Sequence, residues 1–150
     1  MTVILRPAMA HDSIATSAIM NAHFQSVRWM PKFYALPDLR GFCREMIARS
    51  WVSVAVQNGE VIGFLARHNN YVHALYVTLA ARGQGVGQAL LARAQGEATA
   101  LDLWTHQANS VARRFYQRAG FHEVESSAGH HNDEGLPDVR YYWQRGAKHV

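Results

Sequence analysis

The run Arg82-Gly83-Gln84-Gly85-Val86-Gly87 carries the clearest chemistry in the chain. Its three glycines stand at alternate positions, so successive backbone N–H groups can converge with no side chain between them. The run follows a strand-like Leu75-Tyr76-Val77 and precedes an amphipathic stretch carrying Val86, Leu90, Leu91 and Ala94. The positive end of a helix therefore adds to the turn, and the two together suit a phosphate or diphosphate. Arg82 can add a charge-assisted contact. Two common nucleotide patterns fail on spacing. A Walker A loop needs Gly-Lys-Ser/Thr, and a dinucleotide fingerprint needs Gly-x-Gly-x-x-Gly near the first strand with an acidic residue about 20 positions on. The bland alternative is a turn whose glycines only let strand and helix pack closely.

Arg/Gln-x-x-Gly-x-Gly/Ala after a central strand resembles the coenzyme A signature of the GCN5-related N-acetyltransferase (GNAT) family. The likeness continues through Asn109, Ala112, Phe115, Tyr116, Gly120 and Phe121, which reproduce the family's Asn-x-x-Ala-x-x-Phe-Tyr-x-x-x-Gly-Phe run. It covers Tyr71 to Trp143, and the first helices match only loosely. The resemblance implies acetyl-coenzyme A as cofactor, its diphosphate held between Arg82 and Gly87. It also implies a pantetheine arm lying along Leu75, Tyr76 and Val77, where the backbone of Leu75 and Val77 adds it as an extra strand in a gap between splayed central strands. Asn109, Arg113, Phe115 and Tyr116 complete the cofactor side. Asn109 can cap a helix and also bond the pantetheine, and Arg113 or Arg114 meets the adenosine 3′-phosphate.

Acetyl transfer from a thioester to an amine needs a deprotonated nucleophile, a stabilised oxyanion and a proton for the departing thiolate. The resemblance places a tyrosine beside the cofactor sulfur, making Tyr116 the candidate general acid, because a phenol is protonated at neutral pH. A purely packing role for it is the alternative. His73 is the candidate base. It shares a strand face with Tyr71 and Leu75, and Tyr71-Val72-His73-Ala74-Leu75-Tyr76-Val77 resembles the histidine-bearing strand of serotonin N-acetyltransferase. A hydrogen-bonded structural histidine is the other reading. Cys43, the single cysteine, reads as a small buried hydrophobe and not as a nucleophile.

Acceptor recognition points to two segments. Gln25 to Leu36 carries Trp29, Met30, Pro31, Phe33 and Tyr34, more aromatics and prolines than a plain surface loop holds, and Trp29 and Tyr34 are candidate pocket residues. The loop Ser127 to Asp138 carries Asp133 and Glu134, which can attract a cationic amine, with His130 or His131 able to titrate beside them. The same side chains could ligate a metal, but they lack a helical His-x-x-x-His spacing or any cysteine, and no metal is expected. A solvated loop with no role is the third reading.

The elements that must position these residues follow from periodicity. A strand around Val3 and Leu5 stops at Pro7, and a helix capped by Asp12 or Ser13 has an apolar stripe of Ile14, Ala18, Ile19 and Ala22. A second helix spans Asp38 to Ser50 with Leu39, Phe42, Cys43, Met46 and Ile47 on one side. Strands follow at 51–57 and 60–67 around an Asn58-Gly59 hairpin, and at 71–78. Helix 85–100, strand 101–105, helix 108–118 ended by Gly120, and strands 121–126 and 139–144 complete the chain. The expected fold is mixed α/β (α+β) of the GNAT type, a mostly antiparallel sheet of about seven strands with four flanking helices.

A length of 150 residues suits one domain over 1–150. The net charge of +4 comes from 13 Arg against Lys32 and Lys148, which suits phosphate-bearing partners. The arginines are scattered, so nucleic acid is not expected, and no run approaches a membrane span. One cysteine and no leader pattern point to a cytoplasmic protein, with a homodimer allowed for. The leading expectation is an acetyl-coenzyme A-dependent enzyme acetylating the primary amine of a small molecule by direct attack in a ternary complex. A protein or peptide acceptor, or a non-catalytic acyl-coenzyme A sensor, is the alternative.

Overall fold

The structure, a computed structural model, describes residues 2–30 and 34–146. Its elements are β1 (Ile4–Pro7), α1 (Asp12–Ser26), α2 (Leu36–Ala48), β2 (Val52–Gln57), β3 (Glu60–His68), β4 (Tyr71–Val77), α3 (Val86–Glu97), β5 (Ala100–His106), α4 (Ser110–Arg118), β6 (His122–Ser127) and β7 (Asp138–Gln144). A short 3₁₀ turn, Leu79–Ala81, lies between β4 and α3. The seven strands form one mostly antiparallel sheet in the order β1-β2-β3-β4-β5-β7-β6, so the mixed α/β expectation holds. Among the described residues no helix is long and apolar enough to cross a membrane. The chain divides into two compact units, Met1–His68 with His73–Ala94, and Asn69–Val72 with Gln95–Val150.

In the first unit the β2–β3 hairpin turns on Asn58 and Gly59, both at positive φ (52° and 79°), as the dipeptide predicts. Leu39, Cys43, Met46, Val54 and Phe64 are buried in its core, against Ile19, Met20 and Phe24 of α1. Helix α1 differs from the expected stripe. Ile14 is 61% exposed, whereas Thr16 and Ser17 are fully buried. Burial of these hydroxyls is tolerable because each donates to its own helix, Thr16 to the Asp12 carbonyl at 2.9 Å and Ser17 to the Ser13 carbonyl at 2.6 Å. The expected cap also shifts: the N-cap is His11, with no side-chain cap bond, and Asp12 is the first helical residue. The Asp12 carboxylate instead accepts from the Met9 amide and from Arg6 (2.7 Å each). Helix α2 begins two residues before the expected Asp38, whose carboxylate accepts the Ala35 amide at 3.1 Å. Cys43 is 1% exposed, in keeping with a core thiol.

In the second unit β5 pairs β7 in antiparallel register from Ala100↔Gln144 to His106↔Asp138, and the start of β4 meets β5 in parallel at Tyr71↔Asp102. Helix α4 begins where the Asn109 side chain accepts the Ala112 amide at 3.1 Å, and ends before Gly120 at φ 95°, both as expected. Helix α3 stops at Glu97, short of the expected 100. Arg145 donates there to the carbonyls of Gln95, Gly96 and Ala98, a cation set on helix-end acceptors. Tyr141 is fully buried, and its hydroxyl accepts from Arg113 and Gln117 of α4. Arg140 of β7 forms a fork on Asp102 and reaches Glu125 at 3.4 Å, tying three strands together.

Candidate functional site

In the first unit the glycine turn leads from β4 into α3. Gly83 and Gly85 have φ of 78° and 82°, which L side chains rarely adopt, and a Cβ at either would meet nothing within 4 Å. That emptiness distinguishes the turn from a packing device, since close-packed glycines have neighbours where a side chain would stand. Among the described residues the amides of Gly83, Gln84 and Gly85 make no backbone hydrogen bond, and the Gly85 carbonyl starts the α3 ladder by accepting from Ala89 at 3.0 Å. Open amides in front of a 12-residue helix fit a diphosphate.

The end of β4 presents a second row of groups. The Tyr76 carbonyl faces β3, 3.1 Å from where a Cβ on Gly63 would stand, and the Thr78 amide donates to the Ile62 carbonyl at 2.9 Å. Strand alternation therefore turns the main-chain groups of Leu75 and Val77 away from β3, the orientation an added strand requires. The side chain of Tyr76 packs on Phe64 and Phe24. His73, on the same strand, is exposed, as are its strand neighbours Tyr71 and, in part, Leu75, whereas Val72 and Ala74 are buried, so the expected alternation holds. His73 stacks on Trp51, which also stacks on His68. Desolvation, then the charge of His68, hold the His73 imidazole below its usual pKa.

Trp29 and Tyr34 are partly buried against the apolar core, with Tyr34 5.7 Å from the Phe24 ring. Both belong to the flank of that core, which accounts for the aromatic density of the segment; Pro31 and Phe33 lie outside the described residues. Arg82 is exposed and its guanidinium meets the Nδ1 of His23 at 3.2 Å.

In the second unit Tyr116 is the buried residue of α4, ringed by Phe115, Phe121 and Tyr141. Burial alone pushes its phenol well above the ordinary tyrosine range, so the proton is firmly held. Arg113 is committed to the protein: Nε donates to the Tyr141 hydroxyl (3.2 Å), Nη1 to the Gln107 carbonyl (3.2 Å), and Nη2 reaches Glu123 (3.4 Å). Arg114 beside it is exposed, so of the two it is the better placed to meet a phosphate.

The acidic loop is built around Asp138, which sequence reasoning passed over. This carboxylate, 3% exposed, accepts from the Ser127 hydroxyl and from Asn132 Nδ2 (3.2 Å), and pairs with His131 Nε2 at 3.0 Å. Asn132 also exchanges hydrogen bonds with the backbone of Leu136 (2.8 and 3.3 Å). Glu134 faces His106 Nε2 at 3.4 Å; that contact chiefly holds its carboxyl below the usual range. Asp133 remains exposed. His23, Trp51, His68, His106 and Asp138 had no signal in the sequence, because each acts on a residue remote in the chain or hidden by the turn of a loop.

The candidate residues thus fall into two groups. Trp29, Tyr34, His73, Leu75–Val77 and Arg82–Gly87 lie in the first unit, and Asn109, Arg113, Phe115, Tyr116, Asp133 and Glu134 in the second.

A family model described as an acetyltransferase (GNAT) domain matches residues 33–144. Over 107 residues the chain is 28% identical to an uncharacterized N-acetyltransferase of Archaeoglobus fulgidus, covering 59% of this chain and 73% of that protein. Over 71 residues it is 34% identical to the peptidyl-lysine N-acetyltransferase YjaB of Salmonella typhimurium, covering 47% of this chain and 48% of that relative, about half its length. The solved structure of YncA from Salmonella typhimurium with its cofactor acetyl-CoA is similar in fold, with a TM-score of 0.75 at 18% identity over 100% of this chain and 98% of that one.

Proposed function

Because the chain belongs to the GNAT family of acetyltransferases, which use acetyl-coenzyme A, we propose that it acetylates the primary amine of a small molecule by direct attack in a ternary complex. The observation that carries this reading is the set of open amides at Gly83, Gln84 and Gly85, aimed from a turn that leads into α3. Arg82 to Gly87 hold the diphosphate, and the main chain of Leu75 and Val77 holds the pantetheine arm. The Asn109 amide nitrogen, left over from capping, is a further donor to that arm.

Bound acetyl-coenzyme A supplies the thioester carbon that the amine attacks and the thiolate that departs. His73 takes the proton lost by the amine, directly or through water; its lowered pKa keeps the imidazole neutral and able to accept at neutral pH. Tyr116, kept protonated at neutral pH by its buried setting, is the group that gives a proton to the leaving sulfur as negative charge develops there. Asp133 contributes an exposed negative charge to attract a cationic acceptor, and Glu134, which faces His106, adds a second carboxylate.

A lysine side chain of a protein is the second reading, and the likeness to a peptidyl-lysine acetyltransferase favours it. Coenzyme A release measured with small cationic and aryl-alkyl amines and with lysine peptides tests both. Release with the small amines supports the main reading, and release with peptides alone supports the second. Tight cofactor binding with no release on any amine would leave a sensor.

A further inference from the structure

Arg82 opens the glycine turn, and its exposed side chain does not point into solvent at random. Its Nη2 stands 3.2 Å from Nδ1 of His23, a residue of α1 that is 59 positions away in sequence. The imidazole is itself fixed by its neighbours. Its ring lies 5.1 Å from that of Tyr76 and 5.7 Å from that of Phe24, and Tyr76 in turn packs on Phe64 in the core. A guanidinium has no acceptor, so the contact sets the tautomer: Nδ1 carries the lone pair and the proton sits on Nε2.

We propose that His23 is a positioning residue for cofactor binding, holding the Arg82 guanidinium beside the glycine turn before the ligand arrives. The inference rests on the diphosphate reading of that turn. An exposed arginine loses considerable rotamer freedom when it closes on a phosphate, and a neighbour that has already restricted it removes part of that cost. The His23 contact engages Nη2, and the remaining N–H donors of the planar fork stay available to an anion. Arg82 is also fixed at its backbone: it is the C-cap of the 3₁₀ turn, and its amide donates to the Leu79 carbonyl at 3.3 Å. Side chain and main chain are therefore both set before binding.

Calorimetric titration of coenzyme A into the wild-type chain, His23→Ala, His23→Asn, Arg82→Ala and the double variant His23→Ala/Arg82→Ala tests this. His23→Ala is expected to weaken binding about fivefold, the scale of ordering one long side chain. His23→Asn, whose carbonyl oxygen can take the place of Nδ1, should restore affinity to within about twofold of wild type. The double variant should bind no more weakly than Arg82→Ala, because His23 acts only through Arg82. Additive losses, wild-type or tighter binding by His23→Ala, or no rescue by Asn would overturn the proposal. Thermal melting checks that each variant folds; if His23→Ala does not, His23→Leu, which keeps bulk against Tyr76 without an acceptor, replaces it. If Arg82→Ala binds normally, this inference fails while the cradle stands, whereas failure of the wild-type chain to bind removes both.

Discussion

His73 stacks on Trp51 with ring centroids 4.6 Å apart and planes 9° from parallel. The same indole stacks on His68 at 4.8 Å and carries the Arg49 guanidinium 5.2 Å from its centroid. A candidate base is thus oriented by an aromatic ring, and desolvation, then the nearby His68, oppose its protonation.

Since desolvation is the larger cause of the lowered His73 pKa and His68 the smaller, removing His68 should reverse part of the effect. A depressed folded pKa favours the neutral imidazole, so activity that depends on a neutral base persists above that pKa and is lost as pH falls through it. His68→Gln should move the acid limb of the kcat/KM profile to higher pH, toward the ordinary imidazole value. A limb that stays in place would remove His68 from this role, and loss of the limb in His73→Gln checks the assignment of the base.

Tyr116→Phe keeps the ring packing against Phe121 and Tyr141 and deletes only the hydroxyl. Turnover should fall about 100-fold, the usual worth of a positioned acid, with coenzyme A affinity nearly unchanged. Steady-state rates beside titration calorimetry distinguish this from a packing role, in which kcat would be preserved.

Gly85→Asp places a carboxylate where nothing now lies within 4 Å, on a backbone at φ 82°. Coenzyme A binding should be abolished by charge and bulk in the cradle, while the strain of about 1–3 kcal/mol leaves the fold formed. Gly85→Ala carries the strain without the charge and should retain weakened binding. Normal coenzyme A affinity in the Asp variant would relocate the diphosphate site.

Asp12 is 3% exposed, and the hydrogen bond from Arg6 is the first cause of its lowered pKa. A depressed carboxylate contributes stability above its unfolded value, and that contribution fades as pH falls through the folded one. Asp12→Asn should cost about 1.5–3 kcal/mol at neutral pH, the range for a charge-assisted hydrogen bond. Melting temperatures of the two proteins should converge in acid. A gap independent of pH would show that the pair's charge contributes nothing.

The local elements were readable because their causes are local. Asn58-Gly59 admits the positive φ of a hairpin, Asn109 and Gly120 bracket α4, and the glycine spacing of Arg82 to Gly87 marks a turn with positive φ at Gly83 and Gly85. Periodicity misleads on α1, because the apolar stripe it marks is not the buried face, which holds Thr16 and Ser17. Their hydroxyls satisfy themselves on the preceding turn, and no hydropathy pattern reports that. The aromatic segment is a different case: Trp29 and Tyr34 meet the apolar core at its edge, a use of aromatic surface that composition does not distinguish from a pocket lining.

By itself the chain's sequence determined its strands, the caps of α4, the glycine turn and the family resemblance, since each depends on residues within a few positions of one another. Tertiary structure alone decided that Arg82 meets His23, that His73 lies on Trp51, that Arg113 is held by Tyr141 and that Asp138 organises the acidic loop. Such pairings join side chains across folded strands and helices, or around a loop whose path is not periodic. Their distances come from how the elements pack, which residue spacing along the chain does not encode.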